Sequence, residues 1–128
     1  MSKNGYEKLI IWQNAYKLRK MIFEITKNFP KTEMRRVSQM NAAARSVKQN
    51  IQEGYGSTLP RYINHLRYGK TSLAELMGDL RDCFDDCLIN YEIYKKADKL
   101  CGQTDYLFMR IMQALQKKLN REKRKKTP

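Results

Sequence analysis

Apolar residues recur along this chain at alternating intervals of three and four, a rhythm that an α-helix converts into one dry side and one wet side. From Tyr6 to Phe29 the positions Ile11, Ala15, Leu18, Ile22, Ile25 and Phe29 form such a stripe, widened by Leu9, Trp12, Tyr16 and Phe23. Phe29-Pro30 should end this first helix, because the residue before proline is pushed out of the α region, and Thr32 is placed to cap the next. A second stripe, Val37, Met40, Ala44, Val47 and Ile51, predicts a helix over 33–55. Gly54, Gly56 and Pro60 then mark a turn. The third helix should start near Pro60, where a missing N–H costs nothing, and carry Leu66, Gly69, Leu73, Leu76, Leu80, Cys83 and Cys87 inward as far as about Ile89. A break is predicted around Asn90–Ile93, with Gly102 as a rival position. The fourth helix follows on Ala97, Leu100, Leu107, Ile111, Leu115 and Leu119.

No segment alternates with the period of two that a half-buried strand requires, and no unit repeats. Four amphipathic helices on short connections predict an all-α fold, an up-down-up-down four-helix bundle. One domain is expected over 1–121. Residues 122–128 have no apolar anchor and carry like charges in a block, so they are expected as a basic disordered tail.

Composition sharpens this picture in three ways. At 128 residues the chain is long enough to bury a core of its own without disulfide or metal support. Cys83, Cys87 and Cys101 are an odd number in a loop-poor chain, which suits small core residues in a reducing compartment. No run approaches the roughly 20 apolar residues of a membrane span, and the opening MSKNGYEKLIIWQ has no secretory pattern. A cytoplasmic protein is therefore expected, with no membrane partner.

Charge changes the picture most. The formal net charge is +13, from 26 Lys and Arg against 13 Asp and Glu. Residues 57–116 balance at eight and eight; the excess lies in 1–56, with eleven basic and four acidic residues, and in 117–126, with seven and one. Such a field draws polyanions. Lys17, Lys20 and Lys27 step along the first helix away from Leu18, Ile22 and Ile25, while Arg35, Arg36, Arg45 and Lys48 flank the stripe of the second. With Lys117, Lys118, Arg121, Lys123 and Arg124 of the tail, these are the candidate contacts for RNA or DNA. Phosphate contacts carry no base information, so binding led by charge and shape is expected. Most of the eight tyrosines fall near predicted core or junction positions, and none builds a known RNA-reading motif.

The stretch SVKQNIQEGYG at 46–56 places Ser46, Asn50 and Glu53 on one helical face, and Ser72 and Glu75 repeat the pattern on the third helix beside Leu73 and Leu76. Buried polar groups must pair, so the two ladders are expected to meet as a structural network that fixes helix register. A rival reading makes Glu53 and Glu75 paired acids of a metal-dependent nuclease, helped by Asp79, Asp82, Asp85 and Asp86. No histidine, nucleophile elbow or phosphate-binding glycine loop accompanies them, and a row of carboxylates on one helix is usually solvated or paired with neighbours such as Arg81. Cys83 and Cys87 are four apart, as zinc ligands on a helix can be, yet Cys101 and His65 are distant. The expectation is no catalytic residue, no metal and no cofactor.

LIIWQNA at 9–15, FPKTE at 29–33, Gln39, SVKQNIQEG at 46–54 and SLAEL at 72–76 occur in an order that resembles a family of four-helix bundles. That family includes the proteins encoded in intervening sequences of bacterial 23S ribosomal RNA genes. Within it, length and basicity make the chain most similar to the accessory variability determinants of diversity-generating retroelements, of the phage-borne kind. The resemblance covers about residues 6–121. It implies a homopentameric barrel that binds nucleic acid, associates with the element's reverse transcriptase, and supports copying of a template-repeat RNA in mutagenic retrohoming. The alternative it leaves is a ribosomal RNA intervening-sequence-type bundle of unknown role. A third possibility is a scaffold whose charge serves only subunit assembly. The chain departs from the family pattern at Lys48, where relatives often carry proline, at Arg45, where they often carry an apolar residue, and at Ala42, where they often carry arginine. The first two departures add positive charge to the second helix.

Overall fold

The structure, a computed structural model, describes residues 5–126. Four helices account for nearly all of them: α1 over Ile10–Thr26, α2 over Met34–Gly54, α3 over Leu59–Asp85 and α4 over Tyr91–Lys126, with single 3-10 turns at Gly5–Lys8 and Lys31–Glu33. Helix α1 packs on α2, α2 on α3, α3 on α4, and α4 returns to α1. This closes the expected up-down-up-down bundle.

The core is where the hydrophobic rhythm places it. Ile11, Ala15, Leu18 and Ile22 of α1 meet Met40, Ala44, Val47 and Ile51 of α2, Leu66, Leu73, Leu76 and Leu80 of α3, and Ala97, Cys101 and Phe108 of α4. In α4 the predicted seam is rotated. Ala97 of that seam is fully buried, but it is joined by Cys101, Thr104 and Phe108, whereas Leu100, Leu107, Ile111 and Leu115 are only partly covered. Phe108 turns inward because α3 offers it a notch at Gly69, where a Cβ would lie 3.0 Å from the phenyl ring.

Each connection has its own local chemistry. Thr32 does not cap α2: it lies in the 3-10 turn, and α2 starts behind Glu33 with no side-chain cap. Gly54 closes α2 where α3 comes too near for a side chain, since a Cβ there would stand 2.8 Å from both Tyr62 Cδ1 and His65 Cβ. Two residues on, Gly56 takes a φ of 80°, and Pro60 enters the first turn of α3 as expected.

Helix α3 stops at Asp85, four residues short of the predicted Ile89. Its end is a Schellman turn, with Cys87 N–H donating to Phe84 O at 3.1 Å and Leu88 N–H to Cys83 O at 2.9 Å. The left-handed position, usually glycine, is held by Cys87 at a φ of 61°. A stop without glycine or proline leaves little trace in sequence. Asn90 then caps α4 by accepting from Ile93 N–H at 2.8 Å, so the predicted break lies where α4 begins; Gly102 is an exposed residue inside that helix. Cys87 itself is exposed rather than a core residue, while Cys83 and Cys101 are buried.

The basic segment expected to fray after residue 121 is helical through Lys126; residues 127 and 128 lie outside the described residues. Lys, Arg and Glu are good helix formers, and cations in a last turn face the negative end of the helix dipole. The register of α4 on α3 is set by Phe108 at Gly69 and by a 2.8 Å ion pair between Lys70 and Asp105. Extended along both helices, it brings Leu59, the first residue of α3, opposite about residue 117. The remainder of α4 therefore projects past its neighbour by about 13 Å.

Candidate nucleic-acid interface

A half-buried polar ladder joins α2 to α3. Ser46 and Ser72 hydroxyls share a hydrogen bond of 2.8 Å between α2 and α3. Asn50 Nδ2 donates to Ser46 O at 2.9 Å and to its hydroxyl at 3.1 Å, and Asn50 Oδ1 accepts from His65 Nδ1 at 3.1 Å. Ser46, Asn50 and Ser72 thus join as the spacing implied, and His65 is the member the sequence reading left out. No buried side-chain nitrogen or oxygen among the described residues lacks a partner.

The two glutamates expected in this network are outside it. Glu53 is exposed and reaches only to 4.0 Å from His65 Nδ1. Glu75 is exposed further along α3, and its field acts on Asp79 instead. Ten residues of helix separate the His65 level from Glu75, about 15 Å. The geometry does not make Glu53 and Glu75 a carboxylate pair.

The row of aspartates is dispersed as well. Asp85 pairs with Arg81 Nε at 3.1 Å, Asp86 receives Arg36 Nη1 at 3.0 Å, and Asp79 has its pKa raised by burial and by Asp82, against the lowering influence of Arg36. Among the described residues, no group of three or more His, Cys, Asp or Glu is arranged to hold a metal ion.

The cationic candidates divide into two kinds. Arg36 is committed within the chain: its Nε lies 3.0 Å from Glu33 and its Nη1 3.0 Å from Asp86, tying the start of α2 to the end of α3. Lys27 is paired with Glu24 on the same helix at 2.6 Å. Lys17, Lys20, Arg35 and Arg45 are exposed.

Two shallow grooves run between α1 and α2. One, of about 760 Å³, includes Lys17, Lys20 and Lys48 in its wall, and the other, of about 470 Å³, includes Arg19, Lys27 and Arg45. A smaller hollow bordered by Arg19 and Lys20 links them. Lys48 has its pKa lowered by partial burial and by the fields of Arg19 and Arg45. Six cations therefore share one face with the carboxylates Glu7 and Glu24. Arg19 was missed because it directly follows a core leucine and falls outside the three-and-seven spacing of the lysines; only its place on the flank toward α2 marks it.

The second cationic element is the projecting end of α4. Lys117, Lys118, Arg121, Lys123 and Arg124 are all exposed there, together with Lys125 and Lys126, and Glu122 is the only acid among residues 117–126. By the up-down order, this end of α4 lies at the same end of the bundle as the start of α1 and the aromatic residues beside it.

The model for 23S rRNA-intervening sequence proteins matches residues 7–110. The chain belongs to that family. The fold agrees with it: a crystal structure of a protein of unknown function from the S23 ribosomal protein family of Bacteroides thetaiotaomicron superposes with a TM-score of 0.74 at 17% identity, covering 80% of this chain and 98% of that one. A comparison with curated proteins returned no match. The family match ends at residue 110, so the cationic end of α4 lies beyond it. Among the described residues no helix is long and apolar enough to cross a membrane.

Proposed function

We propose that this member of the 23S rRNA-intervening sequence family is a non-enzymatic adaptor that binds RNA or DNA through phosphates. The observation that carries the reading is the continuous α1–α2 face bearing Lys17, Arg19, Lys20, Lys27, Arg45 and Lys48, in which Lys48 is partly desolvated beside two further cations. Crowding like charges there is unfavourable in the free protein, and an anion that relieves it binds with that repulsion as part of its driving force. Arg35 and the end of α4 extend the basic surface; Arg36, held by two carboxylates, stabilises the bundle instead.

The narrower assignment is an accessory role beside a retroelement reverse transcriptase, acting during template-repeat RNA copying from a homopentameric barrel. Its support is the resemblance in motif order, length and basicity; Arg45 and Lys48, on the groove walls, depart from the family pattern and support polyanion binding alone. Assembly is further favoured by large apolar side chains left in solvent by a lone subunit away from the cationic grooves, among them Ile10, Tyr68, Tyr106 and Met109.

Fluorescence anisotropy with labelled RNA and DNA across salt tests the general reading. Affinity is expected to fall by orders of magnitude between low and physiological salt, and a flat response would remove the phosphate-binding role. Co-purification with the reverse transcriptase of a diversity-generating retroelement tests the narrower one, and mass photometry tests the pentamer, against which a monomer at micromolar concentration would stand. Incubation with labelled RNA and magnesium tests the nuclease rival; sustained cleavage abolished by Glu75→Gln would establish an enzyme.

A further inference from the structure

The groove that holds Lys17, Lys20 and Lys48 is also lined by three aromatic side chains, Tyr6, Trp12 and Tyr16. Trp12 and Tyr16 stack with ring centroids 5.2 Å apart and planes 19° from parallel, and Tyr6 packs at a tilt on Trp12 with centroids 5.6 Å apart. The stack is anchored. Trp12 Nε1 donates to Gln52 Oε1 at 2.9 Å, and Lys48 Nζ donates to the same oxygen at 2.8 Å. Tyr16, the outer ring, is 39% exposed, and Lys20 Nζ lies 5.4 Å from its centroid. Five of the eight tyrosines, Tyr16 among them, are exposed.

An exposed ring with an ammonium group over its face adds nothing to the buried stripe of α1. A stacking platform beside convergent cations is how proteins hold unpaired nucleotides, since every base has a π-face and every linkage has a phosphate. The geometry points to single-stranded nucleic acid as the occupant of this groove, with a base stacked on Tyr16 and its phosphates on Lys17, Lys20 and Lys48. The base takes the place of Lys20 over the ring, and the displaced ammonium group turns to the phosphate. A strand fits better than a free nucleotide, because Arg19, Arg45 and Lys27 continue the cationic track beyond the groove and only a chain of phosphates reaches them. Glu7, the one carboxylate in the groove wall, faces three lysines.

This inference rests on the phosphate-binding reading, and the test separates the two. Trp12 is the only tryptophan of the chain, so its fluorescence reports on the groove alone. A short oligouridylate is expected to quench it saturably, while a duplex RNA with the same number of phosphates binds without quenching. Tyr16→Ala should weaken oligouridylate binding by roughly five- to a hundredfold, Tyr16→Phe by no more than about twofold, and neither should alter duplex binding. Thermal melting of both variants confirms that the fold is kept. Uridine monophosphate should not quench where the oligomer saturates; equal quenching would overturn the strand. Equal losses for single strand and duplex with Tyr16→Ala, or no loss for either, would overturn the stacking site and leave phosphate binding standing. Absence of binding to either nucleic acid would overturn both.

Discussion

At the scale of single residues, identical charges do different work according to their neighbours. Arg36 is enclosed by Glu33 and Asp86, whereas Lys48 has cations beside it and a lowered pKa. For Lys48 the unfolded chain holds its proton to higher pH than the folded one, so stability rises with pH between the lowered value and the ordinary 10.5. Lys48→Met is therefore expected to raise Tm at neutral pH and low salt, to lose that advantage above pH 10.5 or in high salt, and to weaken nucleic-acid binding. Arg36→Gln should do the reverse, lowering stability by about 1–2 kcal/mol while leaving the salt dependence of binding unchanged. Chemical denaturation and binding titrations of both variants check the contrast.

The cysteines give a second contrast at this scale. Burial, assisted by Asp98 and Asp105, pushes the Cys101 thiol up to about 12, and burial also raises Cys83 despite the nearby Arg36 guanidinium. Thiolates react and thiols do not. A thiol-reactive dye at pH 8 should label one site per native chain, Cys87, and three after unfolding; rapid labelling of all three in the native protein would contradict the packed core.

At the scale of elements, the legible parts were those written in periodicity. The stripes of α1, α2 and α3 appear in the sequence because each buried position repeats at helical spacing. Less legible were features that depend on a partner: the end of α3, made by Cys87 in a left-handed turn, the inward rotation of Phe108 onto Gly69, and the recruitment of His65 to the ladder of Ser46, Asn50 and Ser72. Glu53 and Glu75 matched the ladder's spacing but lie at the rim of each helix, and spacing alone does not distinguish rim from seam. Gly54 read as a turn residue and is also a point of helix contact. Ala at that position improves helix propensity by up to about 1 kcal/mol, yet its methyl group would collide with Tyr62 and His65. Gly54→Ala is therefore expected to lower stability by about 1–3 kcal/mol in urea denaturation.

At the scale of the whole molecule, charge and hydrophobic pattern do separate jobs. The interior is closed by aliphatic stripes, with a half-buried polar ladder between α2 and α3, while the cations of the α1–α2 face and of the α4 end lie on the exterior. The distribution of the basic surplus was readable from the sequence, but its gathering was not. Only the packing of α1 on α2 brings Arg19 beside Lys48 and Arg45, and only the unequal lengths of α3 and α4 turn a basic tail into a projecting helix.

The most direct test of the central claim is the slope of log K against log salt concentration for one duplex RNA, measured for the natural protein and for a variant with Lys17, Arg19, Arg45 and Lys48 all changed to Gln. Each lost phosphate contact removes about 0.7–0.9 from the slope, so the variant should be shallower by about three. An unchanged slope, with both proteins folded, would show that the α1–α2 face does not meet phosphates.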